Sequence, residues 1–169
     1  APDSDSVSVS VDAPSNTGTF SCTIFVSDPA ATNSPQTATV TYTVRPSDVS
    51  GVVAALAACP SRDINLSWTA ANSGASLKTY NIYRNTSNTA PAAPYATGIT
   101  TTTWTDSATV TGSTYYYWVE TASGGLTSPS KVPAPSNATG GVNVPVCSPP
   151  AAPTGLSASN ATCSQVSLT

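Results

Sequence analysis

The sequence predicts an all-β protein built from tandem β-sandwich modules, and three observations carry that prediction. The first is residues 115–122, where Tyr115, Tyr116, Tyr117, Trp118, Val119 and Thr121 make an aromatic and β-branched run between Gly112 and Gly124. Read with a period of two, Tyr115, Tyr117, Val119 and Thr121 share one face and Tyr116, Trp118 and Glu120 the other. Large side chains on both faces place this strand in the middle of a sheet. The second is rhythm: between residues 49 and 133 about seven short strand patterns alternate with turn signals, as in a sandwich. The third is composition. Hydrophobic residues are 39% of the 169, enough for a core, while only 8% are charged and Ser, Thr, Asn and Ala supply the surface.

Taken in order, residues 1–45 hold three strand patterns. Residues 6–11 alternate Ser and Val. Residues 19–26 put Phe20, Cys22, Ile24 and Val26 on one face, and residues 39–44 put Val40, Tyr42 and Val44 together. Turn residues separate them at 14–18 and 28–35. Three strands bury too little to stand alone, so this reads as half a sandwich. A short linker comes next at 45–48. The second module begins with an edge-like strand at 51–58, and its second strand alternates Ile64, Leu66 and Trp68 inward. A third does so with Tyr80 and Ile82. A Pro- and Ala-rich stretch at 89–94 precedes a strand at 101–105 that carries Trp104, then the 115–122 strand, and a last one at 126–132. Residues 136–148 read as a Pro, Gly and Asn linker, and 149–169 as the first strands of another module.

The wording of residues 18–44 resembles the C-terminal part of BACON-type immunoglobulin-like domains of secreted bacterial proteins. Residues 46–135 resemble a bacterial-type fibronectin type III domain. Leu66-Ser67-Trp68, Tyr80-Asn81-Ile82-Tyr83-Arg84, Thr103-Trp104-Thr105-Asp106 and Gly112 through Val119 carry that likeness. Residues 149–169, from Pro149 to Leu156 and again at Val166-Ser167-Leu168-Thr169, resemble the opening of a second such domain. The resemblance implies tandem immunoglobulin-like and fibronectin type III sandwiches, with Trp68, Tyr80, Trp104 and Tyr115 structural. Trp68 would be the core tryptophan and Tyr115 the corner tyrosine, bonded back to the turn before it. The long Ala-rich loop at 91–94 and the bulky Trp118 depart from the pattern.

In that fold Cys59 sits at the pole where the chain leaves the module, and Cys147 lies just past that exit. A Cys59–Cys147 bridge would staple the module to its linker; the alternative is two unpaired thiols. Cys163 would then pair downstream. Cys22 is either a buried inert thiol or a bridge to sequence upstream. Tyr83, Tyr116 and Trp118 are expected as an aromatic strip on the outer face. It would serve as cross-strand packing or as an interface or glycan contact.

Several functions are disfavoured. Five Lys and Arg and a net charge of −3 offer nucleic acid no cationic patch. No apolar run reaches the roughly 18 residues of a membrane span. With no His and no CxxC spacing, no metal or other cofactor is expected. No catalytic residue is assigned. A Ser nucleophile would need Lys78 or Lys131 as base, and Asp48, Asp63, Asp106 and Glu120 read as solvated residues on separate turns and strands. Asp3 and Asp5 lack a full calcium loop. Asn85, Asn137 and Asn160 each open a glycosylation triplet. The absence of Met and of a leader pattern reads as a window on a longer protein. The expectation is a non-catalytic structural module of a large secreted or cell-surface bacterial protein, contacting neighbouring modules or copies of the same chain. An accessory module that binds carbohydrate or protein for a secreted polysaccharide-degrading enzyme is the alternative.

Overall fold

A computed structural model describes residues 10, 16–30, 32–71, 78–148, 154 and 155, and the backbone of 158–162 and 165–168. The strand expected at 6–11 lies outside these residues apart from Ser10, and so do Cys163, Asp3 and Asp5.

Strands β1 (Gly18–Val26) and β2 (Gln36–Val44) form an antiparallel hairpin in unbroken register, from Gly18 opposite Val44 to Val26 opposite Gln36. The alternation holds for part of each strand, while Val26 and Val40, expected on the covered face, are 52% and 40% exposed. Phe20, Cys22 and Ile24 are half-buried while Thr19, Ser21 and Thr23 face water, and the Phe20 and Tyr42 rings stack with centroids 5.7 Å apart.

Nine further strands build the sandwich. They are β3 (Ser50–Leu56), β4 (Ile64–Thr69), β5 (Thr79–Asn85), β6 (Ala96–Ile99), β7 (Thr103–Asp106), β8 (Thr114–Ser123), β9 (Leu126–Thr127), β10 (Val132–Pro133) and β11 (Val142–Asn143). One sheet runs β3-β4-β7; the facing sheet runs β10-β8-β5-β6, with β9 and β11 also paired to β8. Strict alternation buries Ile64, Leu66 and Trp68 and exposes Asn65, Ser67 and Thr69. These meet Tyr80, Ile82, Tyr117 and Val119 of the other sheet in a single core. Trp68 packs edge-on to Tyr80 with centroids 5.2 Å apart. Trp104 lies half-buried at the rim of this core. Strand β8 is central, as its two-faced pattern requires, and the Tyr115 hydroxyl accepts the Val110 N–H at 3.0 Å. A last antiparallel hairpin joins β12 (Ala158–Thr162) to β13 (Gln165–Leu168).

Three expectations need correction. Strand β6 was not anticipated, because Ala96–Ile99 neither alternates nor carries a large residue before Ile99. The strand expected at 126–132 is split into β9 and β10. Ser128 interrupts it, accepting the Thr121 N–H at its Oγ (3.1 Å) and donating to the Ser130 carbonyl (3.1 Å), and Pro129 has no N–H to give.

The largest correction concerns residues 136–148, expected as a linker. They lie against the sandwich. A 3-10 turn, Pro135–Thr139, leads into β11, where Val142 pairs with Tyr115. Gly112 N–H then donates to the Val144 carbonyl (2.7 Å) and Val144 N–H to the Ser113 carbonyl (2.9 Å). Ala134, Val142 and Val144 belong to the core. Asn137, 4% exposed, accepts the Tyr117 N–H at 3.0 Å and donates to the Tyr117 carbonyl at 2.9 Å, so its amide replaces a neighbouring strand. Gly141 permits the approach. Its φ is +82°, and a Cβ there would lie 2.9 Å from the Tyr115 carbonyl oxygen.

Candidate functional site

The outer face of β5 and β8 is where recognition was expected. Register places Tyr83 directly across from Trp118, Asn85 across from Tyr116 and Asn81 across from Glu120. The three aromatic residues therefore do share one strip. The strip is not open. Tyr83 is 4% and Trp118 6% exposed, and Tyr116 is half-buried.

Lys131 stands over Tyr83 and is bonded to the Ala-rich loop between β5 and β6. Lys131 Nζ donates to the Pro91 carbonyl at 2.7 Å, drawing the loop down, and the same ammonium stands 4.1 Å from the centre of the Tyr83 ring. Beneath it the Tyr83 hydroxyl donates to Glu120 Oε2 at 2.5 Å, and Asn81 Nδ2 donates to the same oxygen at 3.2 Å. Glu120, read as solvated, is 7% exposed. Beside Trp118 a shallow cleft of about 510 Å³ is lined by Asn88, Ala90, Pro133, Pro135 and Asn137. The indole is almost wholly buried, and the Asn137 amide is already spent on Tyr117.

A second polar cluster spans the two sheets. Asp106 of β7, also read as solvated, is 1% exposed. Arg84 Nη1 of β5 donates to its two oxygens at 2.8 and 3.1 Å, the Tyr117 hydroxyl of β8 donates to Oδ2 at 2.7 Å, and the Ala108 N–H to Oδ1 at 3.1 Å. The Arg84 guanidinium lies 3.7 Å from the centre of the Tyr95 ring. Burial alone would lower the Arg84 pKa; its hydrogen bonds and charge attraction to Asp106 offset that and leave it raised. The cluster is a cross-brace between sheets. No carboxylate pair is free for acid–base work in either cluster.

Both buried phenols hold their protons tightly. Burial, reinforced by the Glu120 hydrogen bond, lifts Tyr83 from its ordinary value of 10 to about 12. Burial and Asp106 push Tyr117 up as well. A group whose folded pKa is raised contributes stability that is intact below its unfolded pKa and is lost as pH rises through the folded one. The window for Tyr83 is therefore about pH 10 to 12. The melting temperature should fall as pH rises through that window, and a Tyr83→Phe variant should lose less over the same range. Equal losses in both proteins would mean Tyr83 ionises freely in the folded state.

The cysteines are settled for one pair. Cys59 and Cys147 form a disulfide, with Cα atoms 5.7 Å apart and a sequence separation of 88. Cys22 is unbridged and half-buried. Two glycosylation triplets have engaged asparagines. Asn85 Nδ2 donates to the Thr89 carbonyl at 2.8 Å, and Asn137 is buried as described. Asp48 accepts the Ser130 N–H at 3.0 Å. Among the described residues no three of His, Cys, Asp and Glu gather as metal ligands, and no helix is long and apolar enough to cross a membrane.

No family model matches the chain, and no curated protein does. Among solved structures the chain is similar to an Fn3-like protein from Clostridium thermocellum, at 33% identity over 54% of this chain and 91% of that one, with a TM-score of 0.47. It is also similar to domains d3–d4 of the rat CD45 extracellular region, at 16% identity over 79% of this chain and 68% of that one, with a TM-score of 0.46. Domains A168–A170 of titin are similar at 19% identity over 70% of this chain and 39% of that one, with a TM-score of 0.43. With β3-β4-β7 facing β10-β8-β5-β6, a buried tryptophan on its second strand and a bonded corner tyrosine, the chain carries a fibronectin type III/immunoglobulin-like β-sandwich.

Proposed function

We propose that this chain is a non-catalytic structural piece of a large secreted or cell-surface bacterial protein: a spacer, an adhesin stalk or a subunit of an extracellular fibre. In this reading the β1–β2 hairpin belongs to a BACON-type immunoglobulin-like domain and the β12–β13 hairpin opens a second fibronectin type III domain. The sandwich would then stand within a tandem array, touching neighbouring modules or other copies of the chain.

One observation carries the reading. The side chains best suited to chemistry or recognition are spent on internal contacts: Asp106 and Arg84 across the sheets, Glu120 on Tyr83, Lys131 on the Pro91 carbonyl and the Tyr83 ring. A disulfide and a surface poor in charge suit an oxidising, extracellular setting.

The accessory-module alternative rests on the cleft beside Trp118. Retention on insoluble polysaccharides separates the two. The chain is expected to flow through, and Tyr116→Ala, at a half-buried position, to behave identically. Retention that Tyr116→Ala abolishes without lowering the melting temperature would give the alternative the stronger claim.

A further inference from the structure

We propose that the Cys59–Cys147 disulfide is a tension clamp: it removes most of the sandwich from the mechanical path between the chain segments on its two sides. The inference deepens the spacer reading, on which its usefulness rests, because a clamp against tension matters only in a chain that carries load.

The covalent path is short. Tension entering from Arg45 passes Pro46 and Val49, both buried, and runs the length of β3. Three residues beyond Leu56 it reaches Cys59, crosses the disulfide to Cys147, and leaves at Ser148. Everything between the two cysteines hangs in a closed loop beside that path. The loop contains every strand of the sandwich except β3.

Force accelerates unfolding only in so far as unfolding lengthens the molecule between the points of attack. A loop of 88 residues pulled open from ends 5.7 Å apart would yield about 300 Å of chain. The bridge forbids that gain. What stays in the path is β3, and a strand already rises about 3.2–3.4 Å per residue, close to its full extension. Pulling along β3 therefore gains almost no length, even though the strand is held to β4 only by a ladder with an irregularity between Ser50 and Val53. The strap at 134–147 serves the same end. It brings Cys147 back along β8, through β11 and the Val144 hydrogen bonds, to the loop after β3 where Cys59 lies.

The test is single-molecule extension of the full chain, tethered by its two termini, first oxidised and then with a reductant added to the folded tether. The oxidised chain should show no step of module size. Reduction should add a step of about 300 Å, and Cys59→Ser with Cys147→Ser should show that step without reductant. Adding reductant to a folded wild-type tether keeps the test independent of how well the double variant folds. A step of about 300 Å in an oxidised chain whose bridge is verified by mass would overturn the clamp, as would no gain on reduction. A clamped chain that is nonetheless retained on polysaccharide would leave the clamp standing and remove the spacer reading. An unclamped chain that flows through would do the reverse.

Discussion

Replacing Asp106 with alanine is expected to cost about 3–5 kcal/mol of stability, the usual penalty for removing one partner of a buried ion pair. Asp106 is 1% exposed and accepts from Arg84, Tyr117 and the Ala108 N–H. Its removal strands an arginine whose side chain is 18% exposed and a phenol that is fully buried. Both then lie between sheets with no acceptor of comparable strength. Because Asp106 stands on β7 while Arg84 and Tyr117 stand on β5 and β8, the loss also uncouples the two sheets. Denaturant unfolding measures it, and Asp106→Asn, which keeps the shape and drops the charge, should cost less. A loss under about 1 kcal/mol for the alanine variant, the scale of a single ordinary hydrogen bond, would show that the cross-brace is decorative.

Severing the disulfide should cost about as much. Closing a loop of 88 residues restricts the unfolded chain by about 4–5 kcal/mol in the chain-entropy account. For a module of about 100 residues that corresponds to a melting temperature lower by on the order of 20 °C. Thermal melts of the oxidised chain and of the double Cys→Ser variant measure it, and coincident melts would refute it. The effect should also be localised. With Cys59→Ser and Cys147→Ser, the strap at 134–147 loses its terminal anchor, and the Val144 and Val142 contacts should open before the β5–β8 ladder does.

Most of the sandwich was legible because its core strands announce themselves. Ile64, Leu66 and Trp68 alternate cleanly, and β8 carries bulk on both faces because it lies at the centre of its sheet. The strap was not legible for a physical reason. Its only buried apolar side chains are Ala134, Val142 and Val144, and it meets Tyr117 of β8 through the buried Asn137 amide instead of a strand, so its Pro, Gly and Asn content reads as a linker. Asp106 was misread because Asp near a turn is usually solvated, and Glu120 because it shares the β8 face of Tyr116 and Trp118, which was expected to face outward. A signal was present for one of them. Arg84 has the same parity as Tyr80 and Ile82 on β5, and a cation on a core-facing position requires a buried partner. Over Tyr83 stands Lys131, which also reaches the loop at Pro91, a contact 40 residues apart that no local pattern encodes.

The central claim is that the folded unit extends through the strap and is locked at Cys147. Native-state hydrogen exchange on the full chain, oxidised and reduced, tests it most directly. In the oxidised chain the amides of Gly112 and Val144, which bond to the Val144 and Ser113 carbonyls, should be protected to the same degree as those of the β5–β8 ladder. On reduction they should be the first to exchange. Rapid exchange of Val144 in the oxidised chain, with the β5–β8 ladder still protected, would contradict the account and return residues 136–148 to a linker.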